Sequence, residues 1–440
     1  MQVSEKVKSE YYADIVHKNL VIDFPESGLR FTNRLIEGES LRLKETIMDG
    51  DAVEFVGCIP SYCSITLRGL DTDIVGERYT VTIWTDGTED EPIPIFHGIV
   101  DSVTNQGIKG SKEVSGYDVL YTKGIIDVSE WYNKLNFPLS IADIRNSLMT
   151  YLGIAQETAT LPNDGIMISK QYSPTSMKAL DVVKSVCQIN GVCGIINRQD
   201  KFEYRALKNL EDHEGAYLPA FLPLFLGIDQ SGGITEPTEY VGTYRKLEYE
   251  GYSVKPVDKL VIRQSESDTG VSYGEGNNRY IIQGNMFTEG LSTETLLQMA
   301  ENIYPYISGI SYHPFLSNNN GLPYLECGKD VVSYMVLNEK GDFVEREFHV
   351  FSRELSGLQA LHDKYSAEGE EYQNEFVTDL KAQFEELKRK VGSQAQGNTY
   401  TKDEIDKMFA EKWVSVQTEP PETERKAGTW YVIQGEVVVN

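Results

Sequence analysis

Apolar and polar positions alternate with a period of two through much of the first 120 residues. Leu20-Val21-Ile22, Leu41-Arg42-Leu43, Ile65-Thr66-Leu67 and the run from Tyr79 to Trp84 read as short strands. Asp49-Gly50-Asp51 and Asp86-Gly87 supply tight-turn chemistry between them. Phe96 to Val103 then alternates into Val114-Ser115-Gly116-Tyr117-Asp118. Residues 1–123 are therefore expected to form a first β domain with an N-terminal arm. A barrel is the natural way to close so many short antiparallel strands.

The period changes after residue 123. Ser140 with Asp143 makes a capping-box-like start, and Ile141, Ile144, Leu148, Tyr151 and Leu152 share a helical face that ends at Gly153. A second helix is expected from about Ser173-Pro174, burying Met177, Leu180, Val182 or Val183, Cys187 and Ile189, and stopping at Asn190-Gly191. A hairpin follows, with Val192–Ile196 and Lys201–Arg205 joined by the polar turn Asn197-Arg198-Gln199-Asp200. This small α+β domain is assigned residues 124–215.

Strand patterns return from Glu239, after the Pro-broken apolar run Ala216–Ile228. They include Thr243–Glu250, Lys259–Arg263, Tyr324–Cys327, Val331–Leu337 and Phe343–Phe351. One helix interrupts them, capped by Ser292 and carrying Leu296, Met299, Ala300 and Ile303 before Pro305. The glycines between Gly270 and Gly276 mark a hairpin tip, because no helix follows to complete a phosphate cradle. Residues 216–356 are read as a second β domain.

From 357 to 392 a helical segment is expected. Val377, Leu380, Phe384, Leu387 and Val391 recur at alternating spacings of three and four, an a/d seam of about two heptads flanked by charges. Such a narrow stripe suits association with copies of the same chain; the plainer alternative is an amphipathic helix lying on the body. Residues 393–440 form a small C-terminal module with a capping box at Thr401 and Glu404 and a short hairpin carrying Trp430 and Tyr431. A piece that small is expected to lean on a partner.

Composition narrows the function classes. The 440 residues carry 41 Lys and Arg against 67 Asp and Glu, a net charge of −26, which repels phosphate backbones and anionic lipid in general. No sequence-specific nucleic-acid binding and no membrane span are expected, and the polar residues 1–10 lack the apolar region of a secretory leader. The five cysteines, Cys58, Cys63, Cys187, Cys193 and Cys327, lack zinc spacing and read as reduced, buried thiols.

No histidine pair stands at metal-helix spacing, and no nucleophile elbow or Walker loop is present. No catalytic residue, cofactor or metal is therefore assigned. Asp86, Glu89, Asp90 and Glu91 could gather around Ca²⁺, yet the glycine-anchored loop spacing is missing, so a solvated hairpin tip is favoured. Two alternatives to a structural role stay open. One is a cell-wall-degrading enzyme with a carboxylate pair, and the other is a carbohydrate-binding tip acting through Trp430 and Tyr431.

In order, the pieces resemble the baseplate-hub or tail-tip proteins of bacteriophages and prophages, also called tail-associated or tail-endopeptidase-like. The resemblance rests on Phe96–Val103 leading into Ser115–Asp118, the two helices and hairpin ending at Tyr204, and Ile303–Phe315. It continues with Gly321-Leu322-Pro323-Tyr324-Leu325-Glu326-Cys327-Gly328-Lys329-Asp330, Leu355–Leu361 and Tyr400–Asp406. It implies a mainly β chain with two tail-tube-like barrels flanking the α+β domain, then the coiled coil and terminal module. It also implies a homotrimer that closes the distal end of the tail tube in the virion. The implied partners are the tail tube or distal tail protein, the tape measure protein, and tip or receptor-binding proteins. No wall-hydrolase module follows residue 392, which separates this chain from the lysin-bearing members.

Overall fold

The structure is a computed structural model and describes residues 1, 3–13, 16–48, 57–107, 110–207, 210, 244–265, 268–337, 343–371, 413–416 and 430–433. The apolar run 216–228 and the seam residues Val377, Leu380, Phe384, Leu387 and Val391 lie outside them. Two compact units emerge: Met1–Gln171 with Ser176–Val377, and Tyr172–Thr175 with Thr378–Asn440.

The first unit begins with helix α1 (Glu5–Tyr12) and strands β1 (Lys18–Phe24), β2 (Leu29–Thr32), β3 (Arg42–Thr46), β4 (Tyr62–Arg68), β5 (Arg78–Thr85), β6 (Ile93–Asn105) and β7 (Ser111–Tyr117). The strands bury alternate residues, as β5 does with Tyr79, Val81, Ile83 and Thr85. Tyr79 is the centre of this core. Its ring stacks on Phe24 at 5.8 Å and lies 5.4 Å from Phe96, and its hydroxyl donates to the Cys63 carbonyl at 3.1 Å. Only a residue without Cβ fits at Gly116, where that atom would meet the Tyr79 ring at 2.9 Å and collide with the Ile99 carbonyl.

Helices α2 (Val119–Gly124), α3 (Ser129–Lys134), α4 (Ile141–Leu152) and α5 (Ala179–Gln188) follow, with the short strands β8 (Leu139–Ser140) and β9 (Met167–Ile168) between them. The hairpin β10 (Cys193–Ile196) and β11 (Phe202–Arg205) comes next. Helix α4 has the expected ends: the Ser140 hydroxyl accepts from the Asp143 amide, and Gly153 closes it in the left-handed conformation. Tyr151 departs from the expected buried face and is half exposed. Helix α5 starts at Ala179 rather than near Ser173-Pro174, because the chain around Met177 and Lys178 is extended and bridges Asp127.

The later strands are β12 (Tyr244–Tyr249), β13 (Lys259–Arg263), β14 (Val271–Gly274) and β15 (Arg279–Gln283), then helix α6 (Thr293–Ile307). After it come β16 (Phe315–Asn320), β17 (Val331–Leu337), β18 (Phe343–His349), β19 (Ser352–Ser356) and β20 (His362–Ala367). Pro305 sits inside the last turn of α6 instead of ending it; the Ser308 amide closes that turn on the Tyr304 carbonyl at 2.9 Å. Segment Tyr324–Cys327, expected as strand, is a tight turn region whose Leu325 amide bonds the Leu322 carbonyl.

Among the described residues no sheet is closed, and the early and late strand sets are joined in one long ladder. Eleven strands run in the order β12-β16-β20-β19-β3-β4-β7-β6-β5-β1-β2. The antiparallel pair β3–β19 fuses the early and late strand sets, with Leu43 opposite Leu355. The early set does curl: a single antiparallel bridge, Ile36 to Leu67, brings the chain beyond β2 back to β4. Strand β20 also lies within 357–392, so the first part of that stretch is sheet and not helix. The turn before it uses Gly357 at φ +84°, where a side chain would strike Glu39 and Ala360. Among the described residues no helix is long and apolar enough to cross a membrane.

In the second unit, β21 (Trp413–Val416) pairs in parallel with β22 (Trp430–Ile433), Trp413 opposite Trp430 and Val414 opposite Tyr431. Trp430 and Tyr431 thus belong to a parallel pair and not to a local hairpin.

Candidate functional site

The most organised group of polar side chains is a buried ionic junction where three parts of the first unit meet. Arg198, from the turn between β10 and β11, sends Nη1 to Glu45 Oε1 at 2.9 Å and Nη2 to Glu45 Oε2 at 2.9 Å. Glu45 is on β3, and its Oε2 also lies 3.3 Å from Nη1 of Arg353 on β19. Arg353 clasps Asp363 of β20. Beside them Arg205, at the end of β11, reaches Glu326 at 2.5 Å and Glu203 at 3.0 Å.

The socket that receives these arginines is the turn Leu322–Cys327. Its backbone carbonyls point inward: Leu322 accepts from Arg353 at 2.8 Å, Leu325 from Arg198 at 3.2 Å and from Arg353, and Cys327 from Arg205 at 2.6 Å. Buried charges are tolerable only when paired and hydrogen-bonded. Here three guanidiniums face four carboxylates and a ring of carbonyls, which together pair every charge. The Nε–H groups of Arg198 and Arg205 find no acceptor among the described residues. Burial works against the charged form of Glu326, but Arg205, Arg198 and the amino group of Met1 overcome it and hold this carboxyl well below the usual range.

Arg198 also donates to the Ile95 carbonyl of β6, and the neighbouring His97 places Nε2 3.0 Å from the Arg198 carbonyl. Burial pulls the His97 pKa down. Close by, Asp118 accepts from the Ser61 amide at 2.7 Å and the Leu120 amide at 2.9 Å. Burial pushes its pKa up to about 7 despite those bonds. The cavity that Asp118 shares with Glu45, His97 and Arg198 measures about 10 Å³. That is room for about one water and for no substrate.

The acidic tip Asp86–Glu91 is used in turn chemistry. Asp86 lies 3.2 Å from His17 Nδ1 and 2.7 Å from Asn19 Nδ2, Glu89 accepts from the Gly87 amide at 3.0 Å, and Glu91 from the Ser4 amide at 2.7 Å. Among the described residues no three His, Cys, Asp or Glu side chains converge as metal ligands. All five cysteines are buried and unpaired in disulfides; burial pushes Cys63 and Cys193 up to about 12, so their thiols stay protonated.

Glu45, Arg198, Arg205, Arg353 and Asp363 were not singled out by pattern reading. Arg198 stands in a polar turn and Arg353 in an alternating strand, positions that ordinarily face water. The one trace of the junction in the sequence was the stretch Gly321–Asp330, which carries part of the family resemblance and proves to be the arginine socket.

No protein-family model matches the chain, and no curated protein matches its sequence. Its structure is similar to those of phage and prophage tail proteins over most of its length. A 43 kDa tail protein of prophage MuSo2 from Shewanella oneidensis is 11% identical, with a TM-score of 0.47, 80% of this chain covered and 98% of that one. A tail protein from Neisseria meningitidis MC58 is 10% identical at a TM-score of 0.43, covering 80% of this chain and 96% of the other. A prophage tail protein from Listeria monocytogenes EGD-e is 9% identical at 0.42, covering 84% and 98%.

Proposed function

We propose that this chain is a structural protein of a bacteriophage or prophage tail, a homotrimeric hub that closes the distal end of the tail tube. The observation that carries the reading is the arginine junction. It spends the buried charge of the first unit on fastening β3, β6, β19 and the β10–β11 turn into one body around the segment that resembles the hub family. A component that passes load between a tube and a tip needs such rigidity.

In this reading the early and late strand sets supply two tube-like barrels per protomer, so that three protomers match the hexameric symmetry of a tail. Val377, Leu380, Phe384, Leu387 and Val391 form the trimer seam, and Trp430 and Tyr431 dock a tip or receptor-binding protein. The tape measure protein and the tail tube or distal tail protein contact the ring from above. Light scattering on the full chain tests this directly: the mass of three chains is expected at micromolar concentration, and a stable monomer rejects the hub.

A wall-degrading enzyme would look first to Asp118, whose raised pKa suits a general acid, but a cavity of about 10 Å³ admits no sugar ring. Clearing of purified cell wall in a zymogram would overturn the structural reading. Under the carbohydrate-binding reading, truncation after Gly392 abolishes adsorption and spares trimers.

A further inference from the structure

The three-stranded sheet β14-β13-β15 has two unlike faces. Alternation turns Leu260, Ile262, Tyr280 and Ile282 into the core, and Tyr273 meets Tyr304 of α6 at 5.2 Å. The opposite face carries Lys259, Val261 and Arg263 of β13, Ser272 of β14, and Arg279 and Ile281 of β15. With Thr269 these line a recess of about 280 Å³.

The register fixes how the recess is laid out. Lys259 stands opposite Arg279, and Val261 stands between Ser272 and Ile281. Arg263 lies four residues further along β13, about 13 Å away at roughly 3.3 Å per residue. Cations therefore occupy both ends of the recess, with an apolar floor and two hydroxyls between them.

In a chain of net charge −26, no carboxylate appears among the described lining residues. The nearby Asp268 is committed to the turn, accepting from the Gln264 amide at 3.1 Å and the Gly270 amide at 2.9 Å, although its charge also feels Arg263. The Arg263 Nε–H is buried and has no hydrogen-bond acceptor among the described residues. Arg263 as a whole is only half-buried, and the rest of its guanidinium can meet an incoming oxyanion in charge-assisted hydrogen bonds.

We propose that this recess binds a phosphorylated polyol or sugar. The phosphates sit on Arg263 at one end and on Lys259 and Arg279 at the other. The carbon chain lies on Val261 and Ile281, and its hydroxyls meet Ser272 and Thr269. The described lining residues include no aromatic ring on which a base could stack, which disfavours single-stranded nucleic acid as the occupant. Recognition is by cationic side chains, independent of the glycine tip between Gly270 and Gly276. The site stands whether or not the chain is a trimeric hub.

Titration of the full chain with glycerol 3-phosphate, with an oligomer of glycerol phosphate and with an oligothymidylate of equal charge tests the assignment. The oligomer is expected to bind tightest, with affinity falling as salt is raised. Arg263→Gln should weaken it about ten-fold, the loss of one charge-assisted contact. Ser272→Asp, at an exposed position, should do the same while the unfolding midpoint stays at the wild-type value. Absence of binding by both glycerol phosphates at low salt, unchanged affinity in Ser272→Asp, or oligothymidylate binding as tight as the oligomer would each overturn the proposal.

Discussion

Arg353 holds Asp363 through two parallel hydrogen bonds, Nε to Oδ1 at 2.8 Å and Nη2 to Oδ2 at 3.0 Å, with both side chains sealed from water. The same carboxylate also accepts from the Tyr365 hydroxyl and the Leu322 amide, each at 2.8 Å. Removing one member of such a pair strands the other charge in a dry interior. Asp363→Ala is expected to cost about 3–5 kcal/mol, read as a lower urea midpoint. The double change Arg353→Met with Asp363→Leu should cost less than Asp363→Ala alone, because it leaves neither member of the pair orphaned. A double variant weaker than the single one would contradict this account.

Asp118 makes stability depend on pH. Its folded pKa of about 7 lies above its ordinary value of 3.8, so the folded state holds this proton more tightly than the unfolded state. Its contribution is full below pH 3.8, declines as pH rises, and is lost once pH passes about 7. Asp118→Asn should flatten the decline between those limits, which amounts to about 1.4 kcal/mol for each pKa unit of difference. Unfolding midpoints of the two proteins across that range provide the check; parallel curves would refute it.

Gly194 lies where β10 crosses Phe202 and Cys187. A Cβ there would stand 2.5 Å from the Phe202 ring and 3.2 Å from the cysteine sulfur. Gly194→Ala should destabilise by about 1–3 kcal/mol through overpacking. Pairing it with Phe202→Leu should return part of the loss.

Helix α4 offers a smaller and more local test. Ser140→Ala removes the hydroxyl that accepts from the Asp143 amide at 3.0 Å, and about 1 kcal/mol of stability should go with it. Ser140→Thr, which keeps both the accepting oxygen and the hydroxyl that donates to Asp143 Oδ2 at 2.7 Å, should not show the loss.

Phe384→Asp places a charge in the middle of the proposed seam. If the seam holds the trimer, light scattering should report smaller species while the circular dichroism of the β strands stays unchanged. Trimers that persist would assign assembly to the ring alone.

What could be read in the sequence was what is decided locally. Ser140 and Gly153 bracket α4 because caps act within one turn of their own helix. The turn at Asn197–Asp200 was equally plain, with Asp200 adopting φ +58°. Fusion of the two strand sets could not be read this way, since Leu43 and Leu355 each look like an ordinary buried strand residue and nothing in either run names the other. Gly357–Leu361 falls inside the segment expected to be helical, although the periodic positions that argue for a helix begin only at Val377, and Gln359, Ala360 and Leu361 do nothing locally to forbid one. The left-handed Gly357 and the edge offered by β16 and β19 outweigh that preference. The junction was hidden for a related reason: Glu45 and Arg353 are 308 residues apart, and burial of a charge leaves no local trace.

The β3–β19 pair also sets a schedule for synthesis. Thr46 and Ser352, whose hydroxyls meet at 2.6 Å, are separated by 306 residues of chain. At roughly 5–20 residues per second, the exposed edge of β3 waits on the order of 15–60 s for its partner to leave the ribosome. During that interval the nascent chain presents an unpaired strand edge to every neighbouring copy on the same message. Slowing elongation should therefore increase aggregation of this protein, unlike one whose strands pair as they emerge.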